Sequence, residues 1–528
     1  MKILYVVSIF IYFYYIFYKS KKYMHMLQQN WYNDGNRYLK WIKDSFNKVF
    51  INIEILFVIL YFFKGYAIFI VFNVLYIISY VLFNNTLTKE QSKKPLVITP
   101  RIKRLYTTMT ILYLIPCILI YMNFDIYDLD VAILSLGLLC YFNPLMILLA
   151  NIINKPIEKI IFEHFKIKAK KKLKNMKNLK KIAITGSYGK TTTKNILNDI
   201  LSVKYNSFAT EKSFNTMNGL MISINNKLDK FCDIFVAEMG AFRKGEIKEK
   251  CKFIKPQYGI ITTIGKAHLE SFGNIHNTQK AKFELIDSLP DDGVAVLNMD
   301  DEYQTSYESK SKCKKYWISM NKKDADLYAY DIELSAKGTK FRCKFKNEEK
   351  SEVFETKLLG RENIYNILEG MMMAYALGMN TNEISLGLKR IKPVEHRLEL
   401  IEYDEHITII DDAYNSNPVG SRMAIEVLSM MEGKKIIVTP GMIELGDEQN
   451  VANRELGHYI AKVCDEVILI GLEQTKPIYN GLQDMQYKED NIHILNDVKK
   501  AFPLMKELAG KEKTYVLLEN DLPDIFNE

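Results

Sequence analysis

Apolar residues form long runs in the first third of the chain, whereas apolar and charged residues alternate after residue 153. A helix needs about 20 apolar residues to cross a bilayer; four of the five runs approach that length, and the second reaches it with neighbouring residues. Neither half of the segment 49–83 has a polar face, which argues against a helical pair in a soluble core. We predict about five transmembrane helices within residues 1–154, at roughly 1–18, 49–63, 66–83, 105–122 and 131–153.

The loops between these runs predict the orientation of the chain. Residues 19–48 carry seven lysines and arginines and residues 84–104 carry six, while the loop 123–130 carries three aspartates. Basic loops stay inside, so we expect an outside N-terminus, a multi-pass protein of a bacterial-type cytoplasmic membrane, and cytoplasmic catalytic domains. The first run has one lysine before it and no small-residue cleavage site, so we interpret it as a retained helix.

Strand-like and helical segments alternate after a basic juxtamembrane arm at 155–180. This order predicts two α/β domains: a P-loop-type, mainly parallel domain at 181–394 and a Rossmann-like domain at 395–528. Short alternating strands at 325–358 indicate an antiparallel insertion in the first domain, and the boundary between the domains falls near 392–397. The predicted parallel strands are 182–185, 233–238, 258–264, 293–298, 407–411, 435–439, 466–470 and 514–518.

The formal net charge is +9, and much of the positive excess lies beside the apolar runs. That placement favours the bilayer surface over nucleic acid as a partner. The seven cysteines are scattered singly, without CxxC spacing or a cluster with histidines. We therefore predict reduced thiols, with neither a disulfide framework nor a zinc site.

The stretch 181–201 predicts a strand, a glycine turn and a helix that together bind a triphosphate. Gly186 and Gly189 let the backbone approach the phosphates, and amides at the start of the helix point at them. Lys190 meets the β/γ charge, and Thr191 offers a hydroxyl to Mg²⁺. The predicted ATP contacts here are Gly186, Ser187, Tyr188, Gly189, Lys190, Thr191 and Thr192.

Further motifs follow this turn in order. Glu238 stands at the carboxyl end of an apolar strand, where an acidic Mg²⁺ ligand often lies. His268 lies within Ile260–Gly273 and Lys282 within Thr278–Glu284. The later motifs are Leu359–Asn366, His396–Leu398, Ile410–Pro418 and Gly441–Gly446. Together, over roughly residues 180–528, these stretches resemble the Mur ligase family of ATP-dependent amide-bond ligases in cell-wall precursor synthesis, and most closely its D-alanyl-D-alanine-adding branch.

The resemblance implies a role for each matching residue. Lys190 and Thr191 would hold the β/γ-phosphates and a first Mg²⁺, with Glu238 as a further ligand of that ion. His268 would bind a second Mg²⁺, and Lys282 would be carbamoylated into a carboxylate-like group beside it. Nucleotide contacts would come from Asn363, Asn366, Arg397 and Asp412, and the substrate-side candidates are Asn215, Tyr414, Asn415 and Asn417.

The implied activity is the ATP-dependent joining of an amino acid or dipeptide to a carboxylate of a cell-envelope, peptidoglycan-type precursor through an acyl phosphate. A carboxylate must then approach a triphosphate, and two Mg²⁺ ions, Lys190 and Arg397 offset the repulsion in a partly desolvated cleft. A membrane-attached poly-γ-glutamate or capsule-type ligase is one alternative. A non-catalytic nucleotide-binding scaffold is another, although it has no need of a second metal site.

Several features depart from the expected patterns. Ile184 stands where a standard P-loop has its first glycine, and Glu362 replaces a family histidine before Asn363. The chain ends in the acidic stretch 517–524, where the D-alanyl-D-alanine-adding branch is basic. The place of the family's UDP-gripping domain is taken by the apolar runs. We therefore leave the amine donor open and consider both a soluble and a lipid-linked acceptor.

Overall fold

The computed structural model describes residues 2–30, 32, 36–50, 71, 74, 75, 77–79, 81, 96–123, 129–265, 269–413, 416–443, 445 and 448–520. The chain forms two compact units, Met1–His164 and Phe165–Glu528. The described part of the first unit is helical, and the second contains two sheets covered by helices. The prediction of two α/β domains is confirmed.

Apolar side chains pack the helices of the first unit together, with Tyr12 and Leu105 buried in one cluster. Thr99 caps the helix that begins at Pro100, because its hydroxyl accepts a hydrogen bond from the amide of Ile102 at 3.2 Å. The helices are Lys2–Gln29, Asn36–Asp44, Phe46–Phe50, Pro100–Met122, Leu129–Tyr141 and Asn143–Asn175, the last continuing into the second unit.

One helix among the described residues, Pro100–Met122, is long and apolar enough to cross a membrane. A second span results only if Ser135–Tyr141 and Asn143–Asn175, bent by 78° at their break, are counted as one. The first predicted span lies in the 28-residue helix Lys2–Gln29. The stretches 49–63 and 66–83 lie largely outside the described residues. The five crossings and the orientation stay predictions.

Nine strands form the first sheet of the second unit, in the spatial order β2-β3-β1-β4-β5-β6-β7-β8-β9. They are β1 (Lys180–Thr185), β2 (Ser207–Ala209), β3 (Ile234–Glu238), β4 (Tyr258–Ile261), β5 (Val294–Asn298), β6 (Lys314–Ser319), β7 (Leu327–Ser335), β8 (Gly338–Phe345) and β9 (Glu352–Thr356). Pairing is parallel as far as β7 and antiparallel beyond it. The predicted insertion therefore continues this sheet, since β7 pairs with β6.

Helices cover both faces of this sheet, as parallel strands require. The phosphate-loop helix Lys190–Leu201 buries Ile196 and Ile200 in the same core as Met371 of the helix Glu362–Ala376. The remaining helices are Met217–Asn226, Glu246–Ile254, Leu269–Phe272, Ile275–Phe283, Glu302–Thr305 and Thr381–Arg390, with a short 3₁₀ turn at Ile286–Ser288.

Six strands form the second sheet, in the order β10-β11-β15-β12-β13-β14. They are β10 (Glu399–Glu402), β11 (Ile407–Asp412), β12 (Lys434–Thr439), β13 (Glu466–Ile470), β14 (Ile492–Leu495) and β15 (Thr514–Glu519). Only the edge pair β10-β11 is antiparallel. The helices are Pro418–Ser429, Gln449–Val463, Leu472–Asp484 and Ala501–Ala509, with 3₁₀ turns at Glu489–Asn491 and Val498–Lys500.

Candidate active site

The glycine turn lies at the carboxyl edge of the first sheet. Strand β1 lies between β3 and β4 in the sheet. After β1 the chain forms β2 and β3 on one side of it and then crosses over to form β4 and β5 on the other side. Ligands of open α/β sheets bind in the crevice that such a reversal creates. Ile184 of β1 is level with Glu238 of β3, and this register brings Glu238 to the start of the phosphate-loop helix.

Two glycines are required by the shape of the turn. A Cβ on Gly186, whose φ is 153°, would lie 1.9 Å from the Thr262 hydroxyl oxygen. Gly189 has a φ of 79°, and its Cβ would lie 2.2 Å from Oδ1 of Asn366. The amide of Ser187 donates to the Thr263 carbonyl at 2.8 Å, which ties the turn to the chain after β4. Only glycine fits at either position.

The side chain of Lys190 folds back into the glycine turn that precedes it. Its Nζ donates to the carbonyls of Gly186 at 2.9 Å and Ser187 at 2.8 Å. Burial lowers the pKa of Lys190 to about 8; Glu238 acts in the opposite direction and Arg397 adds to the lowering. The first amides of a helix have no intrahelical acceptor. The turn therefore combines a desolvated ammonium with helix amides, the donors that bind a phosphate.

Glu238 is only 1% exposed and is held by three side chains. It accepts hydrogen bonds from the Thr191 hydroxyl at 3.0 Å and from the Asn215 amide at 3.1 Å. Lys194, also 1% exposed, forms an ion pair with Glu238 at 3.5 Å. The structure thus brings together Thr191 and Glu238, the two predicted metal ligands, with Asn215, a predicted substrate-side residue. Sequence reasoning missed Lys194, although its position four residues after Lys190 puts both on one helix face.

Two further lysines are buried near the turn, Lys282 with 2% and Lys250 with 6% of its surface exposed. Nζ of Lys250 donates to the Gly240 carbonyl at 2.6 Å. Burial holds the pKa of Lys282 well below its ordinary value, and the charges of Lys190 and Lys250 lower it further. The charge of Lys190 therefore acts on Lys282, one of the predicted site residues, whereas Lys250 was not foreseen.

Asn363 and Asn366 lie on the helix that packs against the phosphate-loop helix. Nδ2 of Asn363 donates to the Leu359 carbonyl at 2.7 Å, and Nδ2 of Asn366 donates to Oδ1 of Asn363 at 3.0 Å. Glu362, the departure from the family histidine, leaves these two bonds in place. The contact between Asn366 and Gly189 brings this amide pair beside the phosphate turn.

The charge of Arg397 links the second domain to the phosphate turn. The Arg397 charge lowers the pKa of Lys190 and of Asp412, so its field reaches both lobes. Glu519 lies opposite Asp412 in the β11–β15 register and is fully buried, accepting hydrogen bonds from Ser421 at 2.6 Å and Thr439 at 3.0 Å. Glu519 is therefore a structural carboxyl. Although it belongs to the acidic stretch 517–524, it is bonded to buried hydroxyls and does not face a substrate.

Asp412 provides a pH-dependent prediction. Burial and the neighbouring carboxyl of Glu519 raise its pKa to about 7. The folded protein therefore holds a proton that the unfolded chain releases near pH 4, and stability falls as pH rises from about 4 to 7. We expect Asp412→Asn to stabilise the protein by about 1–2 kcal/mol at pH 8 and by progressively less towards pH 4. Urea denaturation of both proteins across this range checks it, and parallel pH profiles would contradict it.

Some predicted residues contribute differently or are not described. Asn417 caps the helix Pro418–Ser429, since its Oδ1 accepts from the Gly420 amide at 3.0 Å. Thr192 is buried at the start of the phosphate-loop helix, and the Tyr188 ring packs on Gly265. His268, Tyr414 and Asn415 lie outside the described residues. Within the part of the chain that is described, no group of three His, Cys, Asp or Glu side chains is placed to hold a metal.

Fold and site together define a nucleotide-dependent enzyme that has a phosphate turn in the first of two α/β domains. Residues 184–374 match the Mur ligase middle domain, and residues 396–518 match the Mur ligase glutamate ligase domain. The chain belongs to the Mur ligase family, as its motifs predicted, and is an ATP-dependent amide-bond ligase of that type.

Curated relatives and solved structures agree with this assignment. The chain is 30% identical over 334 residues to the UDP-N-acetylmuramoyl-tripeptide–D-alanyl-D-alanine ligase of Bacillus subtilis, covering 62% of this chain and 70% of that one. It is 30% identical to the enzyme of the same name from Escherichia coli, covering 55% of this chain and 64% of the other.

Two solved structures carry the same fold. MurF from Acinetobacter baumannii superposes with a TM-score of 0.61 at 26% identity, over 68% of this chain and 77% of that one. MurF ligase from Thermotoga maritima in complex with ADP gives a TM-score of 0.60 at 26% identity, over 68% and 80%.

Proposed function

We propose that the protein joins D-alanyl-D-alanine, or a similar short amine donor, to a carboxylate of a UDP-muramoyl-type peptide precursor, with ATP as the energy source. The observation that carries this proposal is the convergence of Lys190, Thr191 and Glu238 at one sheet edge with the Arg397 charge from the start of the second domain. The named substrates come from the relatives, whose names include D-alanyl-D-alanine and a muramoyl tripeptide.

The oxygen atoms of Thr191 and Glu238 fit a magnesium ion. Oγ1 of Thr191 and Oε2 of Glu238 lie 3.0 Å apart. Octahedral Mg²⁺ binds oxygens at about 2.0–2.1 Å, so neighbouring ligands lie about 3 Å from each other. Bound there, Mg²⁺ would supply positive charge to the phosphates. Asn215 and Lys194 would hold the Glu238 carboxylate in place by their contacts with it.

The chain's own groups position two anions for reaction. A carboxylate oxygen of the acceptor attacks the γ-phosphorus, the bond from that phosphorus to the bridging oxygen breaks, and ADP leaves. Lys190 and Arg397 counter the repulsion between the carboxylate and the triphosphate. The donor amine then attacks the acyl carbon, a proton leaves the nitrogen, and inorganic phosphate departs with the carboxyl oxygen. In-line positioning supplies much of the acceleration.

Lys282 is suited to become a carbamate. Its buried position and the nearby charges favour the neutral amine, which is the form that attacks carbon dioxide. The new N–C bond and the loss of one proton convert the buried neutral amine into an anion, which the positive field of Lys190 and Lys250 stabilises. His268, Tyr414, Asn415 and Asn417 remain proposed site residues through the family motifs alone.

Release of phosphate by detergent-solubilised protein tests this function. D-alanyl-D-alanine with a soluble UDP-muramoyl tripeptide should give the highest rate, and omission of either should abolish release. Single amino acids and poly-γ-glutamate acceptors form the comparison arms. Product ladders with glutamate would favour the capsule-type alternative, and nucleotide binding without turnover over all pairs would favour the scaffold.

The basic arm supports a second partner, an anionic bilayer surface. Residues 155–180 contain ten lysines and two glutamates, a net charge of +8, against a formal net charge of +9 for the whole chain. Ile160 and Ile167, on the part of the helix Asn143–Asn175 that belongs to this arm, are 70% and 64% exposed. Lysines near an anionic membrane contribute about 1 kcal/mol each. A lipid-linked acceptor at the inner leaflet is the corresponding variant of the proposed substrate, and the phosphate-release assay compares it with the soluble one.

Neutralising four exposed lysines of the arm should weaken vesicle binding. We expect K168Q/K170Q/K171Q/K174Q to reduce the affinity for phosphatidylglycerol-containing vesicles by about 100-fold or more, given about 1 kcal/mol per charge. A control with exposed lysines from elsewhere, K323Q/K337Q/K344Q/K346Q, should bind as wild type does. Co-sedimentation at two salt concentrations measures it. Equal binding of both quadruple variants would rule out the arm as the contact.

A further inference from the structure

A chain of four buried polar side chains links the phosphate-loop helix to the helix Glu362–Ala376. Glu369, with 0% of its surface exposed, lies 2.9 Å from the Thr193 hydroxyl through Oε2. The same hydroxyl lies 3.1 Å from Oδ1 of Asn366. Asn366 bonds to Asn363, and Asn363 to the Leu359 carbonyl. Neither Thr193 nor Glu369 is among the site residues predicted from the sequence.

The Leu359 carbonyl, the last member of this hydrogen-bonded chain, determines which group donates and which accepts in every bond of it. The Leu359 carbonyl can only accept, so Asn363 presents Nδ2 to it at 2.7 Å and turns Oδ1 towards Asn366. Asn366 must then donate through Nδ2, which turns its own Oδ1 towards Thr193. The single hydroxyl proton of Thr193 is therefore committed to Asn366. Glu369 has no proton to accept from Thr193 and must provide one.

We infer that Glu369 is a neutral carboxylic acid that donates to Thr193 and thereby fixes which way the amides of Asn363 and Asn366 face. This inference rests on the proposed function for its consequence, because the two amides are the proposed nucleotide contacts. Each Nδ2 has two protons and uses one within the chain. The second proton of each remains for acceptor atoms of the nucleotide's base. Glu369 is thus a positioning residue for the base subsite and does not touch the phosphates.

Two further observations support a neutral Glu369. Its Oε1 has no hydrogen-bond partner among the described residues, and a buried carboxylate oxygen in that state is costly. Burial also raises the pKa of Glu369 well above its ordinary value, although the hydrogen bond with Thr193 acts the other way. The neighbouring helix residues Ile367, Leu368 and Met371 are fully buried in the apolar core, and the charge of Asp301 also raises the pKa of Glu369.

Two substitutions of similar size separate donation from packing. Glu369→Gln keeps a donor, because Nε2 replaces the carboxyl hydroxyl, and should bind ADP as wild type does. Glu369→Leu removes the donor and should weaken ADP binding by about fivefold, the equivalent of one neutral hydrogen bond of ~1 kcal/mol. Inorganic tripolyphosphate, which has no base, should bind all three proteins equally. Thr193→Val should reproduce the Glu369→Leu pattern.

Calorimetric titration of the full-length protein measures these affinities, with thermal unfolding as the check on folding. An infrared difference spectrum of wild type against Glu369→Gln should contain a protonated carboxyl band. Equal loss of ADP and tripolyphosphate binding in Glu369→Leu, or wild-type ADP binding in it, would overturn the positioning role. A carboxylate band instead of the acid band would overturn the neutral state. If the wild type does not bind ADP, the proposed function and the positioning role are both refuted. The infrared spectrum then still determines whether Glu369 is protonated.

Discussion

Lys190→Ala should abolish ATP turnover and leave the fold intact. We expect kcat/KM to fall by at least about 10³-fold, because a cation at the β/γ-phosphates of a desolvated cleft contributes about 4 kcal/mol to the transition state. Burial lowers the pKa of Lys190 to about 8, so the folded state disfavours its charge. Removing that charge relieves a cost of roughly 2–3 kcal/mol, which offsets the packing lost with the side chain.

Steady-state phosphate release measures the loss of turnover, and thermal unfolding measures whether the fold is kept. Lys230→Ala, which removes an exposed lysine, is the matched control and should retain full activity. The wild-type kcat/KM should decline above about pH 8, where the free enzyme loses the Lys190 proton. Turnover by Lys190→Ala close to that of wild type would remove Lys190 from the site.

Glu238→Ala should destabilise the protein and inactivate it, for separable reasons. The substitution leaves Lys194 buried without its carboxylate partner, a situation that costs about 3–5 kcal/mol. It also removes an oxygen from the pair with Thr191 that is proposed to bind Mg²⁺. We expect at least a 100-fold loss of kcat/KM, the order seen when a transition-state charge contact is removed.

The double variant Glu238→Gln with Lys194→Met separates the two effects. It removes both buried charges together, so most of the free energy of unfolding that Glu238→Ala loses should be recovered. Activity should stay lost, and raising the Mg²⁺ concentration should restore little of it. Urea denaturation and phosphate release across a Mg²⁺ series measure this. A double variant with wild-type turnover would show that Glu238 serves only to neutralise Lys194.

The strands that the sequence predicted are those with buried apolar runs. All eight have counterparts among β1, β3, β4, β5, β11, β12, β13 and β15. The four others that were missed are short or polar: β2, β10 and β14 lie at sheet edges, and β6 begins with two lysines. Edge strands bury little on one side, so their residues show neither the apolar run nor the strict alternation on which a prediction depends.

The site was predictable where the chemistry dictates the residue. A phosphate turn needs glycine, lysine and threonine in a set order, and Lys190, Thr191 and Glu238 were found in that way. Lys194, Lys250 and Glu369 were not, because a lone lysine or glutamate in a helix is nearly always at the surface. Their burial depends on partners distant in sequence, and only the fold brings those together. The burial of Glu519 among hydroxyls was missed for the same reason, although the sequence placed it in an acidic tail.

Oxygen transfer from acceptor to phosphate tests the central claim most directly. The acceptor carboxylate is labelled with ¹⁸O, and the phosphate released during coupling is examined by ³¹P NMR. If coupling passes through an acyl phosphate in the crevice of Lys190, Glu238 and Arg397, each phosphate should carry one labelled oxygen. Unlabelled phosphate, or AMP and pyrophosphate as products, would contradict that account.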